Sequence, residues 1–369
     1  MPSIDRRSLQ HFDWLLLGLV TLLLAFGFAN LYSATRSGSE VGLPPEFRRQ
    51  ALALALAAPL MFVAIAMDYR RLERLANVVF AASLLLLAST LVLAPLTRGN
   101  RSWLIWGPFS LQPAELAKLG LIVALARWFQ RHPPGRIQRL RDLAAPSLIA
   151  ALPVGIIILQ RDLGVAVLTL LIACTYLPFT GIPWRSWAGL AGAGALGLAG
   201  LWSFFLKDYQ QKRILDFLDP SRDPLASGYQ AIQSKIAVGS GGLLGKGWLD
   251  GTQTQLRFLP TQHSDFVFSV LAEEWGFVGS VAVLGLYLCI LLWGLAIARN
   301  SKDAFGAMLA VGIVGLLFWP AVINVAMVLG LAPVIGVPLP LFSYGGSSLL
   351  ASLIGLGLLL NVSMRRYMF

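Results

Sequence analysis

DFVFSVLAEEWGFVGSVAVLGLYLCILLWGLAIA, residues 265–298, decides the fold. Beyond Gly276 it carries no charged residue as far as Ala298, enough apolar chain to cross a hydrocarbon core of ~30 Å as a helix. As one unbroken helix the whole stretch of 34 residues would measure ~51 Å at ~1.5 Å per residue. That exceeds the core, so the part before Gly276 is expected to stand at the membrane interface or to break from the span there. Asp265 would then sit at the start of this element.

The same pattern recurs along the chain. Apolar runs of crossing length fall near 13–33, 48–67, 75–96, 113–129, 143–160, 163–180, 187–206, 276–298, 305–329 and 346–363. Hydrophobic residues make up 57% of the 369 residues and charged residues 13%, against roughly 25% charged in soluble domains. The expected fold is therefore an all-α polytopic membrane protein with about ten transmembrane helices. An even number places both termini on one side. The connections and tails on that side hold fourteen Lys and Arg and the opposite short loops hold six, which puts both termini in the cytoplasm. Segment 207–264, between helices 7 and 8, then forms a large extracytoplasmic loop. The net charge of +11 serves topology, and no nucleic-acid partner is expected. Cys174 and Cys289 lie inside apolar runs and read as small buried hydrophobes. The run from Trp14 lacks a small-residue cleavage site and reads as a retained first span.

Ionisable residues inside or at the edge of a span are costly and mark function. Gln112-Pro113-Ala114-Glu115-Leu116-Ala117-Lys118 opens a helix with proline in its first turn, where the missing N–H costs nothing. Glu115 and Lys118, spaced i,i+3, share a helix face and are expected to line a polar cavity. Leu259 to Trp275 brings a second group: His263, Ser264, Asp265, Glu273 and Glu274. Pattern alone allows Ser264 or Asp265 to be no more than an N-cap. Glu273, about 80° round a continuous helix from Asp265, could face the same cavity, and Glu274 would meet a neighbouring element. Gly239-Ser-Gly-Gly-Leu-Leu-Gly-Lys-Gly247 lacks the spacing of a phosphate loop and reads as a flexible, backbone-exposing connection. The three histidines are scattered and show no zinc spacing.

Further motifs carry a family resemblance. Asn324, Gly330, Pro333, then Gly336-Val-Pro-Leu-Pro340 and Ser343-Tyr-Gly-Gly-Ser-Ser348, join the Gln112–Lys118 element, Gln160-Arg-Asp-Leu-Gly164, Gly228-Tyr-Gln230 and Gln233-Ser-Lys-Ile236. In these the chain resembles the SEDS family (shape, elongation, division and sporulation proteins) over nearly its whole length, as a single domain of residues 1–369. The segments from Gly245 to Asp265 and Val337 to Pro340 are similar to its RodA-like branch. Arg161 stands where many members have proline.

The resemblance implies a peptidoglycan glycosyltransferase of cell elongation. Such an enzyme polymerises lipid II beside a class B penicillin-binding protein and other elongation-complex membrane proteins. It also implies that the essential acid falls on Asp265 and a buried ion pair on Glu115 and Lys118. Asp265 would act as the base for the acceptor hydroxyl, or hold a divalent cation (Mg or Mn). Lys118 and Arg49, then Arg213 and Lys235, are the cations expected near the pyrophosphate, with Glu273 also facing substrate. The expected location is the bacterial inner membrane, active site outward. A lipid II flippase or a non-catalytic scaffold for a transpeptidase are the alternatives, although no inverted repeat suggestive of a transporter is visible.

Overall fold

The computed structural model describes residues 12–36, 42–97, 99–107, 109–133, 139–200 and 227–366, with residues 137, 203, 211, 215 and 217. Each of the ten apolar runs carries a helix. These are α1 (Trp14–Thr35), α2 (Pro45–Ala66), α3 (Tyr69–Leu93), α4 (Pro113–Arg131), α5 (Ala144–Leu159), α6 (Leu163–Cys174) and α7 (Trp184–Gly200). After α8 (Ser227–Ser240) and α9 (Thr252–Gln255) come α10 (Val267–Arg299), α11 (Ala304–Val328) and α12 (Gly346–Arg365). Among the described residues seven helices are long and apolar enough to cross a membrane, and the chain is a multi-pass membrane protein. The other three runs give shorter or more polar helices: α4 carries Glu115 and Lys118, α6 has 12 residues and α7 has 17.

Helix starts follow from local chemistry. Asp13 Oδ1 accepts from the Leu16 amide at 3.1 Å, and Asp303 Oδ1 from the Gly306 amide at 2.7 Å, each satisfying an orphan first-turn donor. Pro45 and Pro113 open α2 and α4, positions where proline loses no hydrogen bond.

Burial is uneven. In α12, 83% of the best apolar window is buried, and in α11 67%, against 33%, 28% and 22% in α1, α2 and α3. Helix α4 is also buried along most of its length. These three form the centre, and the early helices stand around them with apolar faces exposed, as lipid requires.

One face ties the chain ends together. Asp13 Oδ2 accepts from Trp293 Nε1 at 2.7 Å and from Ser363 Oγ at 3.1 Å. Asn361 Nδ2 donates to the carbonyls of Ala64 at 2.8 Å and Ile65 at 2.9 Å, satisfying the end of α2. The start of α1 and the end of α12 therefore share a side.

The opposite face departs from the expectation in two ways. A hairpin of β1 (Leu104–Trp106) and β2 (Phe109–Leu111), turning at Gly107 with φ 58°, interrupts the all-helical pattern. Segment 207–264 is not one open loop, because α8 and α9 lie within it. Ser234 of α8 hydrogen-bonds Ser269 Oγ at 2.8 Å and donates to the Val328 carbonyl at 2.7 Å, docking α8 on α10 and α11.

Candidate functional site

Helix α10 is broken at Gly276, whose φ 64° and ψ −161° are non-helical and lie in a region open essentially to glycine alone. A break at this depth orphans carbonyls on one side and amides on the other. The glycine-rich segment supplies the partners. Lys246 and Gly247 amides donate to the carbonyls of Glu273 and Glu274, each at 3.0 Å. The Phe277 and Val278 amides donate to the carbonyls of Gly242 at 2.9 Å and Leu243 at 3.1 Å. The expectation of a flexible, backbone-exposing connection is therefore corrected: its main chain splices the break. The approach is close, since a Cβ on Gly245 would stand 2.1 Å from the Glu274 carbonyl oxygen.

Glu273 locks this splice from the side. It is fully buried, and Oε1 accepts from Lys246 Nζ at 2.8 Å and the Gln253 amide at 2.8 Å. Oε2 accepts from the Thr254 amide at 3.1 Å and hydroxyl at 2.8 Å. With both oxygens engaged at the start of α9, Glu273 is a clasp and not an open substrate contact. The angular argument from Asp265 lacks a basis because α10 begins at Val267, leaving Asp265 off the helix. Glu274 accepts from Ser33 Oγ of α1, a neighbouring element as expected.

Asp265 precedes α10 in a turn. The N-cap position is Phe266, and no side chain caps the helix there, so the N-cap reading of Asp265 or Ser264 does not hold. The Asp265 carboxylate lies against the main chain of Gly336, with Oδ2 3.4 Å from the position a Cβ there would take. Asn324 of α11, fully buried, donates from Nδ2 to the carbonyls of Asp265 at 2.8 Å and Val337 at 2.6 Å. The Tyr344 amide donates to the His263 carbonyl at 2.9 Å. Segment 260–265 and segment 333–345 are thus stitched into one unit. Gln50 of α2 holds its far end, donating from Nε2 to the Ser343 carbonyl at 3.2 Å and accepting from the Gly345 amide at 3.0 Å.

Beside this unit lies a small cavity in which Glu115, Lys118 and Ser352 meet the apolar Leu168, Leu316 and Val337, so its lining is mixed and not the polar one expected. Lys118 Nζ and Glu115 Oε1 are 2.7 Å apart, their side chains only 2% and 9% exposed. The pair neutralises two charges that burial would otherwise make costly. Lys118 is thereby a wall of the cavity, its ammonium committed to Glu115.

A third acid, singled out by the sequence only through the Gln160–Gly164 element, adjoins them. Asp162 caps α6, accepting from the Val165 amide at 3.3 Å, and its other oxygen accepts from Gln112 Nε2 at 3.3 Å. Burial pushes its carboxyl above the usual range and Glu115 adds to this, while the Val165 amide, the Ser102 hydroxyl and Lys118 pull it back. Arg161, just before it, holds φ 67°, a costly conformation for a residue with a side chain.

The remaining cations divide. Arg49 is exposed on α2 beside Gln50. Lys235 is exposed on α8, its chain lying over Gly330. Arg213 lies outside the described residues. Among the described residues no cluster of three or more His, Cys, Asp or Glu has metal-binding geometry.

Comparison with known proteins covers the whole arrangement. The family model for FtsW, RodA and SpoVE, described as a cell cycle protein, matches residues 13–368. The peptidoglycan glycosyltransferase MrdB of Escherichia coli is 37% identical over 364 residues, covering 97% of this chain and 95% of MrdB. A solved structure concerning coordination of polymerization and crosslinking by a peptidoglycan synthase complex superposes with a TM-score of 0.82 at 42% identity, covering 97% of this chain and 99% of that one. The crystal structure of Thermus thermophilus rod shape determining protein RodA gives 0.72 at 38% identity, covering 96% and 98%.

Proposed function

The chain belongs to the FtsW, RodA and SpoVE family of cell cycle proteins, and from that premise we propose that it is a peptidoglycan glycosyltransferase whose reacting acid is Asp265. The substrate is lipid II, polymerised into glycan strands during cell elongation, in the bacterial inner membrane with the Asp265 face outward. A class B penicillin-binding protein is the partner, in keeping with the synthase complex that the chain resembles.

One observation carries the assignment of the acid. Asp265 is a carboxylate whose main chain is held by Asn324 to the segment that lines the cavity, through the Asp265 and Val337 carbonyls, while its side chain stays out of the helix cap. A base must be held within hydrogen-bonding reach of the hydroxyl it deprotonates, and preorganisation of this kind supplies that. The acceptor sugar hydroxyl gives its proton to Asp265 as it attacks the donor sugar, and the lipid pyrophosphate leaves. Arg49 and Lys235, both exposed, meet the leaving group's charge. Glu115 and Lys118, paired at 2.7 Å, supply the charged part of the cavity wall. A divalent ion at Asp265 would take one carboxylate from the protein and its other ligands from pyrophosphate and water, a common mode for Mg, and would stabilise the departing charge.

Purified protein with its partner, supplied with lipid II, tests this. Polymer from the native chain and none from a folded Asp265→Asn variant is expected. Normal polymerisation by Asp265→Asn overturns the acid's role. Transfer of lipid II across vesicles without polymer would make the chain a transporter, and neither activity would leave a scaffold.

A further inference from the structure

The proposed chemistry leaves the glycine-rich splice unused, and its depth in the molecule is measurable. Helix α1 has 22 residues, about 33 Å, sufficient on its own for a hydrocarbon core of about 30 Å. The break in α10 sits inside α1's far end at Thr35, at a depth bracketed by two contacts. Glu274 meets Ser33, and the rings of Trp275 and Phe26 are 6.0 Å apart in a T-shaped contact. Phe26 lies nine residues before Thr35, about 14 Å. Along α10 the distance agrees: Trp293, which bonds Asp13 at the start of α1, follows Phe277 by sixteen residues, about 24 Å. With Ser33 only two residues from Thr35, these contacts put the break about 3–14 Å inside the end of a spanning helix.

Irregular backbone at that depth survives only where its polar groups are paired. The splice meets this condition. The Gly242 and Leu243 carbonyls accept from α10, the Lys246 and Gly247 amides donate to it, and the Gly245 amide donates to the Gly241 carbonyl at 2.8 Å. The ammonium of Lys246 turns into the Glu273 clasp. What remains outside is apolar. Leu243 is 71% and Leu244 80% exposed, beside Phe277, Val278 and Val281, also exposed on α10. In water two such leucines at a loop tip would be unfavourable relative to burial. In lipid they are at home.

We propose that Gly241–Gly247 is a re-entrant loop whose Leu243 and Leu244 lie among the acyl chains of the membrane leaflet on the Asp265 side. The occupant is lipid because the exposed surface continues the lipid-facing stripe of α10 at the same depth. The loop thereby keys the height of the α10 break, and with it the turn bearing Asp265, to the bilayer itself.

Site-directed spin labelling of the full chain in phosphatidylethanolamine–phosphatidylglycerol nanodiscs tests this without any activity assay, so it is independent of the catalytic reading. In a Cys174→Ser, Cys289→Ser background, nitroxide is placed at Leu244→Cys and separately at Leu243→Cys. Leu288→Cys, on the exposed stripe of α10, is the lipid reference, and Asn300→Cys, exposed on the terminal face, is the aqueous one. Collisions with oxygen severalfold more effective than with a nickel chelate, as at Leu288, are expected at both loop positions. Preference for the chelate, as at Asn300, overturns the proposal. So does protection from both reagents, which would mean that a second copy or a partner helix covers the loop.

Discussion

Asn324 holds Asp265 by its main chain, with Nδ2 2.8 Å from the Asp265 carbonyl oxygen. The same amide reaches Val337, so a single buried side chain sets the distance between the turn bearing Asp265 and a segment lining the cavity. Asn324→Ala leaves two buried carbonyls without this donor and is expected to cost about 1–3 kcal/mol of stability. Polymerisation per folded molecule should fall further than that loss explains, by tenfold or more, because Asp265 is no longer fixed. Thermal unfolding in detergent and initial polymerisation rates, measured on the same preparations, check the two together.

The Glu115–Lys118 pair predicts non-additivity. Removing either partner strands a buried charge, so Glu115→Leu or Lys118→Met alone should cost about 3–5 kcal/mol. The double variant carries no stranded charge and should be more stable than either single one. Activity should stay lost in all three, since the cavity floor becomes apolar. A double-mutant cycle on unfolding free energies measures the coupling; strictly additive losses would show the pair to be uncoupled.

At Gly245 the prediction is steric. A methyl group there meets the Glu274 carbonyl oxygen at 2.1 Å, so Gly245→Ala must undock the splice and expose the orphan groups of the break. A loss of several kcal/mol is expected, about two buried hydrogen bonds or more. Gly239→Ala, with nothing within 4 Å of its Cβ, lies in α8 and should be neutral or slightly stabilising. Comparing the two unfolding midpoints separates the clash from any general effect of alanine.

Asp162 gives a pH dependence of definite sign. Its carboxyl is raised above the ordinary value of 3.8 chiefly by burial, so the folded chain holds this proton more tightly than the unfolded one. The stability it contributes is complete below pH 3.8 and is lost as pH rises through the raised folded value. Asp162→Asn removes that titration. Relative to the variant, the native chain should lose thermal stability as pH increases above about 4 and then level off. A difference independent of pH would place the carboxyl in its usual range.

Most of the helical layout was legible because lipid leaves apolar length as the dominant signal. The runs near 13–33 and 346–363 needed nothing more, and they fold as Trp14–Thr35 and Gly346–Arg365. The break at Gly276 followed from simple length arithmetic. The Glu115–Lys118 contact followed from i,i+3 spacing, as both residues lie in one continuous helix. The angular placement of Glu273 failed for the opposite reason: Asp265 is not on the helix, so no shared axis relates them. The splice by Gly241–Gly247 was illegible because main-chain hydrogen bonds between segments distant in sequence leave no side-chain pattern; only the glycines hinted at a close approach. Asp162 was visible as part of a motif, but its contact with Gln112 depends on the packing of α4 against α6. Asn324 likewise acts through carbonyls, which every residue possesses.

The burial of α12 bears on what closes the bundle. Its apolar window is 83% buried, whereas the first three helices bury a third or less of theirs. Among the described helices, α12 is therefore the keystone of the bundle. Helix α1 also rests on α10 through Asp13 and Trp293, but the end of α2 is satisfied by α12, through Asn361 on Ala64, and α12 joins Asp13 through Ser363. A chain without Gly346–Arg365 would leave that centre unfilled, with the buried faces of its neighbours open to lipid.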